Sequence, residues 1–142
     1  LKKYLNDQGA PGVDPLFGGG VVDWGRLRER HIPGLNDIAM ASVYLDPSGA
    51  PGKSSPVILT VQNRGTSWLS GASLEFVPQS GPKQTFSISS LQPGEIRSRE
   101  VYVSLPTASE DVFIFSASVE LNDGLVDEHP ENNQERMRYQ PH

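Results

Sequence analysis

Pro56 to Thr66 reads PVILTVQNRGT. In an extended chain Val57, Leu59 and Val61 fall on one side and Ile58, Thr60 and Gln62 on the other, after which Asn63, Arg64 and Gly65 supply turn chemistry. A helix would need apolar residues at three- and four-residue spacing, and a run of Val, Ile and Thr is stiff at χ1 and favours the strand. The stretch therefore reads as a strand with one face in a core, followed by its exit.

The same grammar repeats outward from it. Asp37 to Leu45 (DIAMASVYL) is a strand whose apolar phase changes between Met40 and Val43, which predicts a bulge or a change of sheet. Gly71 to Val77 places Leu74 and Phe76 inward, and Gln84 to Ser89 does the same with Phe86 and Ile88. After the corner at Leu91 to Gly94, a strand over 95–105 carries Val101, Val103 and Leu105 on one parity and Ile96 on the other, so its inner face stays open. Asp111 to Leu121 alternates cleanly, with Phe113, Phe115, Ala117, Val119 and Leu121 facing in, and Glu135 to Tyr139 closes the domain. Seven short strands punctuated by 14 Gly and 12 Pro predict an all-β fold, a seven-stranded Greek-key sandwich of immunoglobulin type. The chain has no cysteine, so packing alone must hold it, and thiolate metal sites and a cysteine nucleophile are excluded.

The 142 residues suit one such domain, over 37–140, preceded by a short helical and turn-rich flank, 1–36. A net charge of -5 without a basic stripe argues against nucleic acid. No apolar run approaches the ~20 residues that span a bilayer, so no membrane insertion is expected. The opening LKKYLNDQGA lacks the regions of a secretion signal, and the chain reads as an internal or C-terminal piece of a longer protein. Within the flank, Leu1 to Asn6 has the composition of a helix end stopped by Asp7, Gly9, Pro11 and Gly12, and Asp23 is placed to cap a short helix over Trp24 to Arg30. Trp24 and Leu27 would give that helix its greasy side.

The flank pattern Gly9-Ala10-Pro11-Gly12, Asp14-Pro15, then Phe17-Gly18-Gly19-Gly20-Val21-Val22-Asp23, resembles the closing segment of a subtilisin-like serine protease domain. The match covers about thirty residues, and Trp24 and Gly25 depart from the small-residue start of that family's last helix. A plain flexible leader is the competing reading, against which stand Val21, Val22 and the large Trp24. The span from Asp37 to Tyr139 in turn resembles the CARDB module, a sandwich named for a role in cell adhesion. The matching residues are Asp37-Ile38, Val61 to Thr66, Leu91 to Glu95, and Asp127-Glu128 with Glu131-Asn132-Asn133. That resemblance implies a binding or spacer domain without chemistry of its own.

Gly65-Thr66-Ser67 superficially matches the nucleophile turn of a subtilisin-like enzyme, but it leaves a strand rather than opening a helix. The resemblance puts the true serine upstream of residues 1–31. His31, His129 and His142 lie in a linker, an acidic loop and the terminus, so no triad is expected in the chain. In the acidic loop Asn122 to Asn133, Asp123, Asp127, Glu128 and Glu131 could offer oxygens to calcium. The spacing does not fit the twelve-residue helical calcium loop and favours a solvated hairpin whose Asp and Asn cap their own backbone; no other cofactor is expected. Trp68 and Leu69, leaving the second strand, and Trp24 in the flank are candidates for partner contact, against the alternative that they cover the end of the core. Arg97 and Arg99 read as a solvated strand face.

Together these readings predict the C-terminal part of a secreted or surface bacterial subtilisin-like protease. The sandwich would be a non-catalytic accessory domain holding substrate, cell surface or its own catalytic domain in place. The alternative is an adhesion or spacer module of a surface protein without a protease.

Overall fold

The structure is a computed structural model that describes residues 4–16, 18–46, 52–108 and 111–140. Its elements are β1 (Leu5–Asn6), β2 (Val21–Val22), α1 (Trp24–Glu29), β3 (Ile38–Leu45), β4 (Ser54–Asn63), β5 (Ala72–Val77), β6 (Gln84–Ile88), β7 (Ile96–Ser104), β8 (Phe113–Leu121) and β9 (Gln134–Tyr139), with a 3-10 turn at Pro130–Asn132 before β9. Strands β3 to β9 make two antiparallel sheets, ordered β3-β4-β7 and β6-β5-β8-β9. The chain crosses between them after β4, β6 and β7, which is the expected Greek-key, immunoglobulin-type sandwich.

Alternation decides which faces meet. Val57, Leu59 and Val61 of β4 are fully buried, and so are Leu74 and Phe76 of β5. All five expected residues of β8, Phe113 through Leu121, lie in the same core, where Phe115 sits edge-on to Phe76 with centroids 5.9 Å apart. The open question in β7 resolves toward Val101 and Val103, with Leu105 just beyond the strand also buried. The β3-β4 register shifts between Met40 and Ser42, inside the predicted window, so Ala41 is the bulged residue.

On the outer face of β4 alternation stops near its end: Thr60, Gln62 and Asn63 are buried along with Val61. The flank covers that face. Ser42 Oγ donates to the Gly9 carbonyl, the Asp7 amide donates to Gln62 Oε1, and Gln62 Nε2 donates to the Leu5 carbonyl.

Two expectations for the flank need correction. Where a helix end was expected over Leu1 to Asn6, Leu5 and Asn6 are strand, paired with Val22 and Val21. Gly20 permits the pairing, because its φ is +113° and a Cβ there would come within 2.6 Å of the Asn6 carbonyl oxygen. The capped helix is present, and Asp23 Oδ1 accepts from the Arg26 amide. Its inward residue is Arg26, however, while Trp24 is 72% exposed. Phe17 lies outside the described residues. The cap also ties the ribbon to the helix, since Asn6 Nδ2 donates to Asp23 Oδ2 at 2.8 Å. Asp23→Ala should therefore weaken the flank by about 1–2 kcal/mol, read as faster proteolysis between residues 4 and 30 with the sandwich intact.

Candidate functional site

The sequence markers Asp37-Ile38, Val61 to Thr66, Leu91 to Glu95 and Asp127 to Asn133 converge at one end of the sandwich. Asn63 is their centre and is fully buried. Its amide donates to the Glu95 carbonyl, its carbonyl accepts from Gly94, its Nδ2 reaches the carbonyls of Ser67 and Leu91, and its Oδ1 accepts from the Gly65 amide. Gly65 lies so close to the preceding linker that a Cβ would meet the Leu35 oxygen at 2.3 Å. The Asp37 carbonyl takes the amides of Arg64 and Gly65, and Asp37 Oδ1 accepts from Asn132 Nδ2 at 2.9 Å. Asp127 Oδ2 accepts from the Ile38 amide and Asn133 Nδ2, and its Oδ1 from the His129 amide. These residues supply hydrogen bonds for loop ends that have no ladder partner.

The flank docks on this same end through Arg26, which is 5% exposed. Its Nε donates to the Arg64 carbonyl at 3.0 Å, and its Nη1 donates to the Leu5 carbonyl and to Asn6 Oδ1, both at 2.8 Å. One guanidinium thus joins β1, α1 and the exit of β4, a use of its fixed fork that a single ammonium cannot copy. Burial, with the like charge of Arg64 beside it, lowers the Arg26 pKa to about 10. Arg64 is itself shifted down by burial, against the pull of Asp37, Asp23, Asp7 and Glu135. Burial raises the pKa of Asp37 despite the hydrogen bond from Asn132. Around these groups lies a small cleft of about 270 Å³ lined by Asp23, Arg26, Glu29, Asp37, Arg64 and His129.

His129 closes the cleft. Its Nε2 stands 3.2 Å from Glu29 Oε2 on α1, and its Nδ1 3.3 Å from Glu131 Oε1. A neutral imidazole has one N–H, so only the imidazolium serves both carboxylates. Burial works to lower the His129 pKa, but the Glu29 hydrogen bond and the charges of Asp37, Glu29 and Glu131 outweigh it and raise the pKa. A raised folded-state pKa means the contact is complete below the unfolded value of about 6.5 and is lost as pH climbs through the folded one. With both partners half-exposed the effect stays below about 1 kcal/mol. In a Trp68→Phe background, Trp24 fluorescence should report a looser flank at about pH 8.5 than at about pH 5.5, and Glu29→Gln should flatten the difference.

The predicted calcium ligands do not converge. Asp123, at φ +61° in a tight turn, accepts from Ser70 Oγ; both oxygens of Asp127 accept from the chain's own donors; Glu128 donates its amide to the Asn36 carbonyl; Glu131 faces His129. Among the described residues no three His, Asp or Glu side chains gather closely enough to hold a metal ion. Trp68 is 59% exposed, but Leu69 is fully buried and pairs with Leu91 through both backbone bonds, so it closes the core instead of offering a contact. Ser67 leaves β4 with its amide on the Leu35 carbonyl, and Thr66 Oγ1 donates to the Ile32 carbonyl. Arg97 and Arg99 donate to the carbonyls of Ser90 and Ser87, clasping the β6-β7 connection. Arg26 and Gln62 were not singled out by sequence reasoning. Both are polar residues in locally polar surroundings, and only the docked flank gives them their roles.

A model of the CARDB family matches residues 35–138. Among solved structures, the chain is similar to the CARDB domain of a Pyrococcus furiosus protein in complex with di-metal ions, with a TM-score of 0.59, 17% identity, and coverage of 75% of this chain and 88% of that one. It is similar also to a domain of a "putative cell surface protein" from Methanosarcina acetivorans, with a TM-score of 0.53, 14% identity, and coverage of 75% and 92%. Among curated proteins nothing matches. Among the described residues no helix is long and apolar enough to cross a membrane.

Proposed function

The chain belongs to the CARDB family, and on that premise we propose that it is a non-catalytic accessory sandwich of an extracellular protein, held at a fixed angle to a preceding domain by its flank. The observation that carries this reading is Arg26, whose buried guanidinium joins flank and sandwich. A plain tether would leave the two free to swing and would need no such group. The preceding domain that suits the flank is a subtilisin-like serine protease. The glycine-rich turn and the Asp23-capped helix support that choice. Such a sandwich raises the effective concentration of substrate, surface or partner near the catalytic body without doing chemistry. Trp24 and Trp68, both largely exposed, are the side chains it offers for contact.

A second reading makes the chain an adhesion or spacer module without a protease, and the cell-surface description of the Methanosarcina relative favours it. The coding sequence upstream of Leu1 separates the two readings. Asp, His and Ser triad motifs in that order establish the protease reading, and repeated sandwich domains in their place reject it. The chain itself should give no peptide turnover that a serine-directed inhibitor abolishes.

A further inference from the structure

On the outer face of the four-stranded sheet, short side chains run between long ones. Strand β8 is paired on both sides, and its outward serines sit in rows that read Val77-Ser116-Arg136 and Glu75-Ser118-Gln134 across β5, β8 and β9. Serines between longer neighbours leave a trough along β8 of about 870 Å³. Its floor from Ile114 to Ser118 is ~13 Å long, and its walls stand two strand spacings apart, ~9.5 Å. Ile114 and the 41% exposed Val77 make one end apolar. Among the described residues the hydroxyls of Ser116 and Ser118, the Gln134 amide and the Arg136 guanidinium meet no side-chain or backbone partner. The bordering carboxylates are answered within the chain. Lys83 Nζ stands 2.9 Å from Glu75, His129 Nδ1 stands 3.3 Å from Glu131, and Arg136 balances Glu135 in the charge count. The trough offers hydrogen bonds without an excess of either charge.

We propose that this trough binds a neutral oligosaccharide laid along β8. A pyranose carries hydroxyls round its rim and C–H groups on its faces, which match the free hydroxyl, amide and guanidinium groups and the Val77-Ile114 end. The charge balance of the lining gives a strongly charged ligand nothing to gain there. An extended peptide suits the site less, because strand addition needs a free sheet edge and both edges of β8 are already paired. The trough lies wholly on the sandwich, so the proposal does not depend on what precedes the chain.

Two-dimensional NMR of the chain, titrated with neutral tetrasaccharides of glucose, galactose, mannose and N-acetylglucosamine, tests this. At least one should move the amides of Val77, Ser116, Ser118 and Arg136 to saturation, with half-saturation at ~1 mM or below for so open a site. Ser116→Tyr fills the trough with a residue that an exposed strand position tolerates, and should abolish the response. Arg136→Ala, on the edge strand, should weaken it several-fold. Absence of shifts with all four sugars overturns the proposal, as does an unchanged response in either variant. Equal shifts with tetraglutamate or tetralysine also overturn it, because the trough would then read charge or peptide. Shifts of the same amides that grow with protein concentration in the absence of sugar overturn it too, since the trough would then be a contact between copies of the chain.

Discussion

Arg26→Ala should release the flank from the sandwich at a cost of about 3 kcal/mol. Three acceptors lose a charge-assisted donor together: the carbonyls of Arg64 and Leu5 and the side-chain oxygen of Asn6. Arg26 is itself on the flank, so two of these bonds hold the flank's own ribbon to its helix and the third ties that unit to the sandwich. Arg26→Lys should recover little, because one ammonium cannot span acceptors that the planar fork reaches from two nitrogens. The measurement is native-state amide exchange. Protection should collapse over residues 4–30 and survive in β5 and β8, whose core does not include Arg26. Equal loss across both regions would mean that Arg26 supports the whole fold and is no local bolt.

Phe115→Ala should cost about 4 kcal/mol of global stability, the largest single effect expected here. Phe115 is 1% exposed and sits between Phe76, 5.9 Å away by ring centroid, and Phe113, 5.6 Å away. Truncation loses the transfer energy of a ring and leaves a cavity that two other rings cannot fill without leaving their rotamers. No disulfide shares the load, since the chain lacks cysteine. Denaturant unfolding should show a lower midpoint with an unchanged slope. A change below about 1.5 kcal/mol would mean that the core repacks around the gap.

These two positions mark what was legible before the structure. The role of Phe115 follows from alternation, which also placed Val57, Leu59 and Val61 inward and located the bulge beside Met40. A side-chain period of two is a strong signal wherever one face meets a core and the other water. The period failed in β7, where Ile96, on the opposite parity to Val101, lies half-buried beside Gln62 at the end that the flank covers. It also failed at Thr60 and Gln62, which are buried on the outer face although their neighbours in sequence are buried on the inner one. In both places a third layer changes what the outer face touches. The Asp23 cap was legible because it is local, and β1 was not, because a two-residue ribbon has no period to read. The acidic loop displayed its oxygens in the sequence. Their use by Ile38, His129 and Asn133 depends on a donor as far as 89 residues away in the chain.

The family markers gain a physical meaning from the same geometry. Asn63, Gly65, Gly94, Asp37 and Asp127 stitch the loop ends together where the flank arrives. Conservative replacements there would disturb the docking platform before they touched any surface a partner could reach.

The most direct test of the central claim, that flank and sandwich form one rigid unit, is the amide-exchange protection of the unmodified chain near neutral pH. The account predicts that the Asp7, Val22 and Leu27 amides are protected far above the level of an open tether, by a factor of at least ~100. If those amides exchange at open-chain rates while β4 and β8 remain protected, the flank is a swinging linker and the fixed-angle function fails with it.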